Sequence, residues 1–149
     1  MDRTESEREA ALARAVEALA RREHSAQSIR AKLERAGISE EAREDAVEKL
    51  VRVGYLDDER FARDRAALLA GRGYGDERIR ADLEAQGVAL ESIAEALAAL
   101  EPERERALRV AGGTGSDSRT LRMLERRGFS EEAVEAVAAG RLRATGAQE

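Results

Sequence analysis

Apolar residues recur along the chain at helical spacing, and small or capping residues divide them into short segments. Leu12, Val16 and Leu19 stand at i, i+4 and i+7, which predicts an amphipathic helix running to about Arg22 after a frayed start over residues 1 to 6. Ser25 then reads as the N-cap of a second helix with Ile29 and Leu33 on its apolar face, ended by Gly37 with Ile38 folded back behind it. Ser39 caps a third helix that carries Glu40 and Glu41 in its first turn and Ala46, Val47, Leu50 and Val51 on its buried face, and that stops at Gly54.

The stretch GYLDDERFA, residues 54 to 62, is a stop, a corner and a start. Gly54 can adopt the left-handed conformation that ends a helix, Tyr55 and Leu56 can fold back onto it, and Asp57 can cap a helix beginning at Asp58. The pattern then repeats at an offset of 50: Ser25 maps to Gly75, Ile29 to Ile79, Leu33 to Leu83, Gly37 to Gly87, Ile38 to Val88 and Val47 to Leu97. In this second unit the apolar positions are Phe61, Ala62, Leu68 and Leu69, then Ile79 and Leu83, then Leu90, Ile93, Leu97 and Leu100, with GRGYGD as the first turn. A further step of 41 takes Leu83 to Leu124, Gly87 to Gly128, Val88 to Phe129, Ile93 to Val134 and Gly75 to Ser116.

This third unit begins with a shortened helix. Pro102 suits its first position, Ala107, Leu108 and Ala111 form its face, and GGTGS interrupts it. Its last helix, near Glu131 to Arg143, uses Val134, Val137 and Leu142. The expected fold is all-α, an elongated, curved row of three tandem three-helix repeats, because units of this size bury their faces within themselves and against neighbours. The boundaries are a flexible start over 1–9, repeats over 10–54, 55–100 and 101–143, and a loose tail over 144–149.

Leu, Ile, Val and Phe make just under one residue in five, close to the level at which chains stay disordered. Charge balance points the other way: acidic and basic residues nearly cancel at a net −5 and are interleaved, and Ala, Leu, Glu and Arg favour helices. Thin, Ala-rich cores follow. The absence of cysteine rules out a disulfide framework and thiolate chemistry. No signal-peptide core and no apolar run of about 20 residues is present, so a soluble, cytoplasmic protein without a membrane association is expected.

The supply of catalytic groups is poor. His24 is the only histidine; with no cysteine beside it a zinc site is excluded, and it reads as the end of the first helix, where a partly cationic imidazole favours the negative terminus. Asp57, Asp58 and Glu59 read as caps, lacking the spacing of a calcium loop. GGTGSDS lacks the Gly-Lys-Ser/Thr ending of a phosphate loop. No enzyme and no cofactor is expected. Basic residues are nearly all Arg, with only Lys32 and Lys49 as lysines, and most alternate with acids on solvated helix faces. Arg21 with Arg22, Arg72 with Tyr74, and Arg126 with Arg127 lie instead at or just before turns, where a regular row would repeat them along one side.

RREHS at 21–25, GYLDDERFARDR at 54–65, GYGDERIRADLEAQGV at 73–88 and LERRGFSEEAVEAV at 124–137, in that order and spacing, closely resemble the RecX family of bacterial regulators of the RecA recombinase. The resemblance covers about residues 10 to 140. It implies a monomeric, non-enzymatic protein lying in the groove of a RecA filament on single-stranded DNA, blocking its growth or promoting its disassembly. ATP hydrolysis, strand exchange and the co-protease activity behind the DNA-damage response would fall as a result. The contacts it implies are Arg21, Arg22, His24, Arg30, Asp57, Asp58, Arg60, Arg72, Tyr74, Arg126 and Arg127, with Asp57 the first suspected of a structural role. A direct DNA-binding helical module, or a helical scaffold for another partner, stands as the alternative.

Overall fold

The structure is a computed structural model that describes residues 2–112 and 117–146, with side chains described as far as residue 140. Among the described residues there are nine helices and no strand: α1 (Arg3–Arg21), α2 (Ala26–Arg35), α3 (Glu40–Arg52), α4 (Asp58–Gly71), α5 (Asp76–Ala85), α6 (Leu90–Ala98), α7 (Glu103–Ala111), α8 (Ser118–Arg126) and α9 (Glu131–Gly146). None is long and apolar enough to cross a membrane. The extensively packed helix pairs all fall within one of three consecutive sets, α1–α3, α4–α6 and α7–α9, and in each set the first and third helices make the broadest contact. Each set has its own apolar cluster.

Caps and turns define the helices as the residue types demand. Ser25 Oγ accepts the Ser28 amide at 3.1 Å, Ser39 Oγ the Ala42 amide at 3.3 Å, and Asp57 Oδ1 the Glu59 and Arg60 amides at 3.0 and 3.1 Å. After α3, Gly54 adopts φ +81° and the amides of Tyr55 and Leu56 both return to the Leu50 carbonyl. Leu56 is thereby folded into the core of the first set, while Tyr55 remains 60 % exposed. Ile29, Ile79, Leu33, Leu83 and Leu124 are at most 1 % exposed, so the residues related by the two offsets occupy the same depth.

Several expectations change. The helix starts at Arg3, capped by Asp2, rather than after a frayed segment. Its deepest face is Ala11, Ala15 and Ala18; Leu12 and Leu19 flank that face and Val16 is exposed. Val51, Leu68, Leu90 and Leu108, expected in cores, are exposed as well, while Ala46, Ala66, Ala96 and Ala107 are buried. Small side chains let the first and third helices of each set approach closely, which turns the larger residues of the neighbouring stripe outward. Pro102 precedes α7 as its N-cap instead of occupying its first position, with ψ 138° keeping it outside the helix. The N-cap of α8 is Asp117, which accepts the Thr120 amide at 2.8 Å. Ser116 and the rest of 113–116, within the interrupting GGTGS, lie outside the described residues, as do Met1 and 147–149. Helix α9 runs to Gly146, into the expected loose tail, and the side chain of Leu142 is outside the description.

Candidate partner-binding surface

Several of the expected contacts lie where one helical set meets the next, and the two meeting points are built alike. At the first, the Ser25 hydroxyl that caps α2 also donates to the Gln86 carbonyl at 2.7 Å, and the Ala26 amide donates to Asp58 Oδ1 at 2.8 Å. At the second, the Gly75 amide donates to the Arg127 carbonyl at 2.8 Å and the Asp76 amide to Glu103 Oε2 at 2.8 Å. Each joint thus ties the start of a second helix to the preceding turn of a later third helix, and to the first carboxylate of the next set. Amides at the start of a helix have no partner within it, so an acid from the adjoining set satisfies one of them and opposes the helix dipole.

The second joint is closer. The Glu77 amide donates to the Gly128 carbonyl at 3.0 Å, and the Glu103 carboxylate also accepts the Ser130 amide at 3.2 Å. Arg106, 5 % exposed, reaches the Glu101 carbonyl at 2.8 Å, the Tyr74 carbonyl at 3.3 Å and the Asp76 carboxylate. A buried guanidinium is tolerable only when its donors are used in this way.

These bonds give several candidates structural duties. Asp57 is a cap and Asp58 a tie between sets. Arg60 holds its own preceding turn, donating to the Gly54 carbonyl at 3.2 Å and lying 3.5 Å from Glu23. His24 does not serve as a cationic helix end: α1 stops at Arg21, and the ring is 6 % exposed, with Nδ1 2.9 Å from the Ser28 hydroxyl. Burial, then the charges of Arg22 and Lys32, lower its pKa against an opposing bond to the Ala18 carbonyl, so the imidazole is held neutral.

Two groups of candidates are brought together. His24, Asp57 and Arg60 line a cleft of about 330 Å³ with Glu23, Tyr55 and Phe61. Arg72, Tyr74, Arg126 and Arg127 converge on the second joint: Arg72 precedes Gly73, whose open side is covered by the Arg127 guanidinium, and Arg126 ends α8 beside it. Tyr74 is half-buried, with the Arg78 guanidinium 4.5 Å from its ring centre. Arg21 and Arg30 sit apart in exposed pairs, with Glu17 at 3.1 Å and Glu44 at 2.8 Å. Arg22, Arg72 and Arg126 are exposed at helix ends. Sequence reasoning missed Glu103 and Arg106. Glu103 occupies the helix-start position of Asp58 and was open to that comparison, whereas nothing local marks Arg106 as buried.

The family model of the RecX first three-helix domain matches residues 11–50, and that of the RecX second three-helix domain matches 57–97. The chain is 37 % identical over 131 residues to "Regulatory protein RecX" of Stenotrophomonas maltophilia (strain R551-3), covering 81 % of this chain and 80 % of the relative. It is 38 % identical over 133 residues to the protein of that name from Xanthomonas axonopodis pv. citri (strain 306), covering 83 % and 82 %. Its fold is similar to the crystal structure of RecX from Lactobacillus salivarius, with a TM-score of 0.80 at 16 % identity over 91 % of this chain and 96 % of the other. It is similar also to a crystal structure of regulatory protein RecX with a TM-score of 0.79 at 22 % identity, over 92 % and 79 %.

Proposed function

The chain belongs to the RecX family, and from that premise we propose that it is a regulatory protein, not an enzyme, acting in the cytoplasm on RecA assembled on single-stranded DNA. It lies along the filament as a monomer and inhibits filament growth or promotes disassembly, lowering RecA ATPase, strand exchange and co-protease activity. The observation that carries this reading is kinship with proteins named as RecX regulators over four fifths of the chain.

The geometry adds a way of doing it. We read the third helical set, over 101–143, as a further copy of the units over 10–54 and 55–100 in an elongated, curved row, a reading supported by two joints that use equivalent bonds. Such a row repeats its turn cations at intervals, which fits a helical polymer of repeating subunits. Arg22, Arg72 and Arg126 make the outermost contacts, Arg21 and Arg30 exchange their exposed acids for the partner's, and Tyr74 and Arg127 frame the second joint. His24, Asp57, Asp58 and Arg60 shape the surface from beneath.

The test is the single-stranded-DNA-dependent ATPase rate of the cognate RecA, titrated with this protein from well below stoichiometry to excess. Inhibition well below one molecule per RecA is expected; no effect at any ratio removes the reading.

Direct binding to nucleic acid is the second reading, and one observation favours it. Arg119, Arg122 and Arg126 stand at i, i+3 and i+7 on the exposed face of α8, and none takes part in an ion pair among the described residues. Like charges at such spacings oppose helix formation and are retained at a cost. This reading requires binding to bare single-stranded DNA whose logarithm falls with log salt by about 0.7 per phosphate neutralised. Inhibition that disappears on adding DNA would place it first.

A further inference from the structure

Three large apolar side chains lie exposed side by side: Val16 on α1 at 40 %, and Val53 and Tyr55 in the turn after α3 at 63 and 60 %. Two clefts share Val16 and Tyr55. One, of about 330 Å³, continues past Leu19 and Ala20 to Glu23, and the other, of about 520 Å³, runs past Leu12 and Leu50 to Lys49 and Arg52. The two clefts meet at Val16 and Tyr55 and together run along α1 from Leu12 to Ala20, about 12 Å at 1.5 Å per residue or just over two helical turns, and on past the helix end to Glu23. Of the other exposed large apolar residues among those described, Val51 lines a separate cleft with Ala26 and Ser92, and Leu68, Leu90 and Leu108 are scattered singly over other helices.

The groove is charged at its ends and apolar between them. At the α3 end stand Lys49 and Arg52, whose own partners, Asp45 and Glu48, lie one turn back along α3 and do not line the groove. At the α4 end stand Glu23 and Asp57 against Arg60, leaving one negative charge in excess. Nothing in the three-helix packing requires Val53 or Tyr55 to be apolar, because the turn is closed by backbone bonds and by Leu56.

We infer that this groove, resting on the reading of the chain as a RecA regulator, receives an amphipathic helix of RecA. That helix carries apolar side chains about three and seven residues apart, an acid at the end facing Lys49 and Arg52, and a base at the end facing Glu23 and Asp57. Apolar anchors of this spacing span about two turns, the length of the groove along α1, and the charged ends set the direction in which the helix lies. The exposed arginines approach the filament surface, while the groove supplies the one contact that excludes water.

The test uses the full chain in two measurements. Val16→Asp and Val53→Asp, both at exposed positions, are each titrated into the RecA ATPase assay after circular dichroism and urea unfolding have compared their folds with wild type. At least a tenfold rise in the concentration needed for half inhibition, with the fold kept, is expected. In parallel, a benzophenone amino acid replacing Tyr55 is irradiated with RecA filaments, which keeps the test independent of any folding defect in the valine variants. Cross-linking to a RecA helix with an apolar stripe and an acid at one end is expected. Wild-type inhibition that both aspartate variants retain in full overturns the groove and leaves the regulator reading standing. Cross-linking to DNA, to a second copy of this chain or to a RecA segment without an apolar stripe does the same. A wild-type protein that does not inhibit RecA removes both.

Discussion

A Cβ placed on Gly75 would lie 2.5 Å from the carbonyl carbon and oxygen of Gly128. These are backbone atoms that cannot rotate away. At the first joint the corresponding residue is Ser25, whose side chain spans to the Gln86 carbonyl; at the second there is no side chain, and the Gly75 amide reaches the Arg127 carbonyl directly. Gly75→Ala should therefore destabilise the protein by about 1 to 3 kcal/mol, the range for overpacking a close contact. Gly71→Ala, in α4 with nothing within 4 Å of its Cβ, should be neutral or stabilising by up to about 1 kcal/mol. Urea unfolding of the two variants, with amide exchange at Gly75 and Glu77, measures the difference; equal stabilities would mean the second joint carries no load.

Arg106 bonds the Asp76 carboxylate and two backbone carbonyls from a nearly buried position. Arg106→Ala leaves those acceptors unpaired, and since Asp76 is about a quarter exposed the loss should fall at the low end for broken buried pairs, about 3 kcal/mol. Because Arg109→Ala breaks only an exposed pair with Glu101, denaturant titration should find it within about 1 kcal/mol of wild type. A comparable loss in both would contradict the burial of Arg106.

The chain's punctuation was legible before its packing. Ser25, Ser39 and Asp57 act locally, each bonding amides within three residues, and Gly37, Gly54, Gly87 and Gly128 all take positive φ; such features are written in a few adjacent letters. Which stripe of an Ala-rich helix faces inward is decided by its neighbours. A stripe of Leu12, Val16 and Leu19 and a stripe of Ala11, Ala15 and Ala18 have equal helical period, and only the approach of α3 selects the alanines. The site divided in the same way. Asp57 was suspected as a cap, but Asp58 bonds an amide 32 positions away and Arg60 lies beside Glu23, 37 positions away, and a list of charges has no access to that.

Leu83 is completely buried at the centre of the second cluster. Leu83→Ala should cost about 2 to 5 kcal/mol, as for other buried leucines. In a chain whose well-packed helix pairs stay within their own set, α4, α5 and α6 should lose exchange protection before α1–α3. Loss of less than about 1 kcal/mol, or uniform loss along the chain, would contradict a separate middle core.

Arg72→Glu combined with Arg126→Glu reverses two exposed charges flanking the second joint and leaves Arg127, whose guanidinium packs over Gly73, in place. Stability should change by less than about 1 kcal/mol, while the protein concentration that half-inhibits the RecA ATPase should rise several-fold. Full inhibition at unchanged helicity would remove this joint from the contact surface.

His24 makes stability depend on pH in a direction fixed by its environment. Its folded pKa is lowered by burial and by Arg22 and Lys32, so at intermediate pH the unfolded chain binds more protons than the folded one, and stability rises with pH. Below the folded value both states carry the proton and the penalty stands in full. As pH climbs through the ordinary value of 6.5 the unfolded imidazole also becomes neutral, and the penalty disappears. Glu23, Asp57 and Arg60 line the same cleft and face the imidazole from the turn after α1 and the start of α4. Urea unfolding between pH 5.5 and 7.5 should therefore show wild-type stability increasing, and His24→Gln should flatten that increase while retaining a side chain able to bond Ser28. A wild-type protein more stable at pH 5.5 than at 7.5 would mean that the imidazole is stabilised as a cation, as a helix-terminal histidine would be.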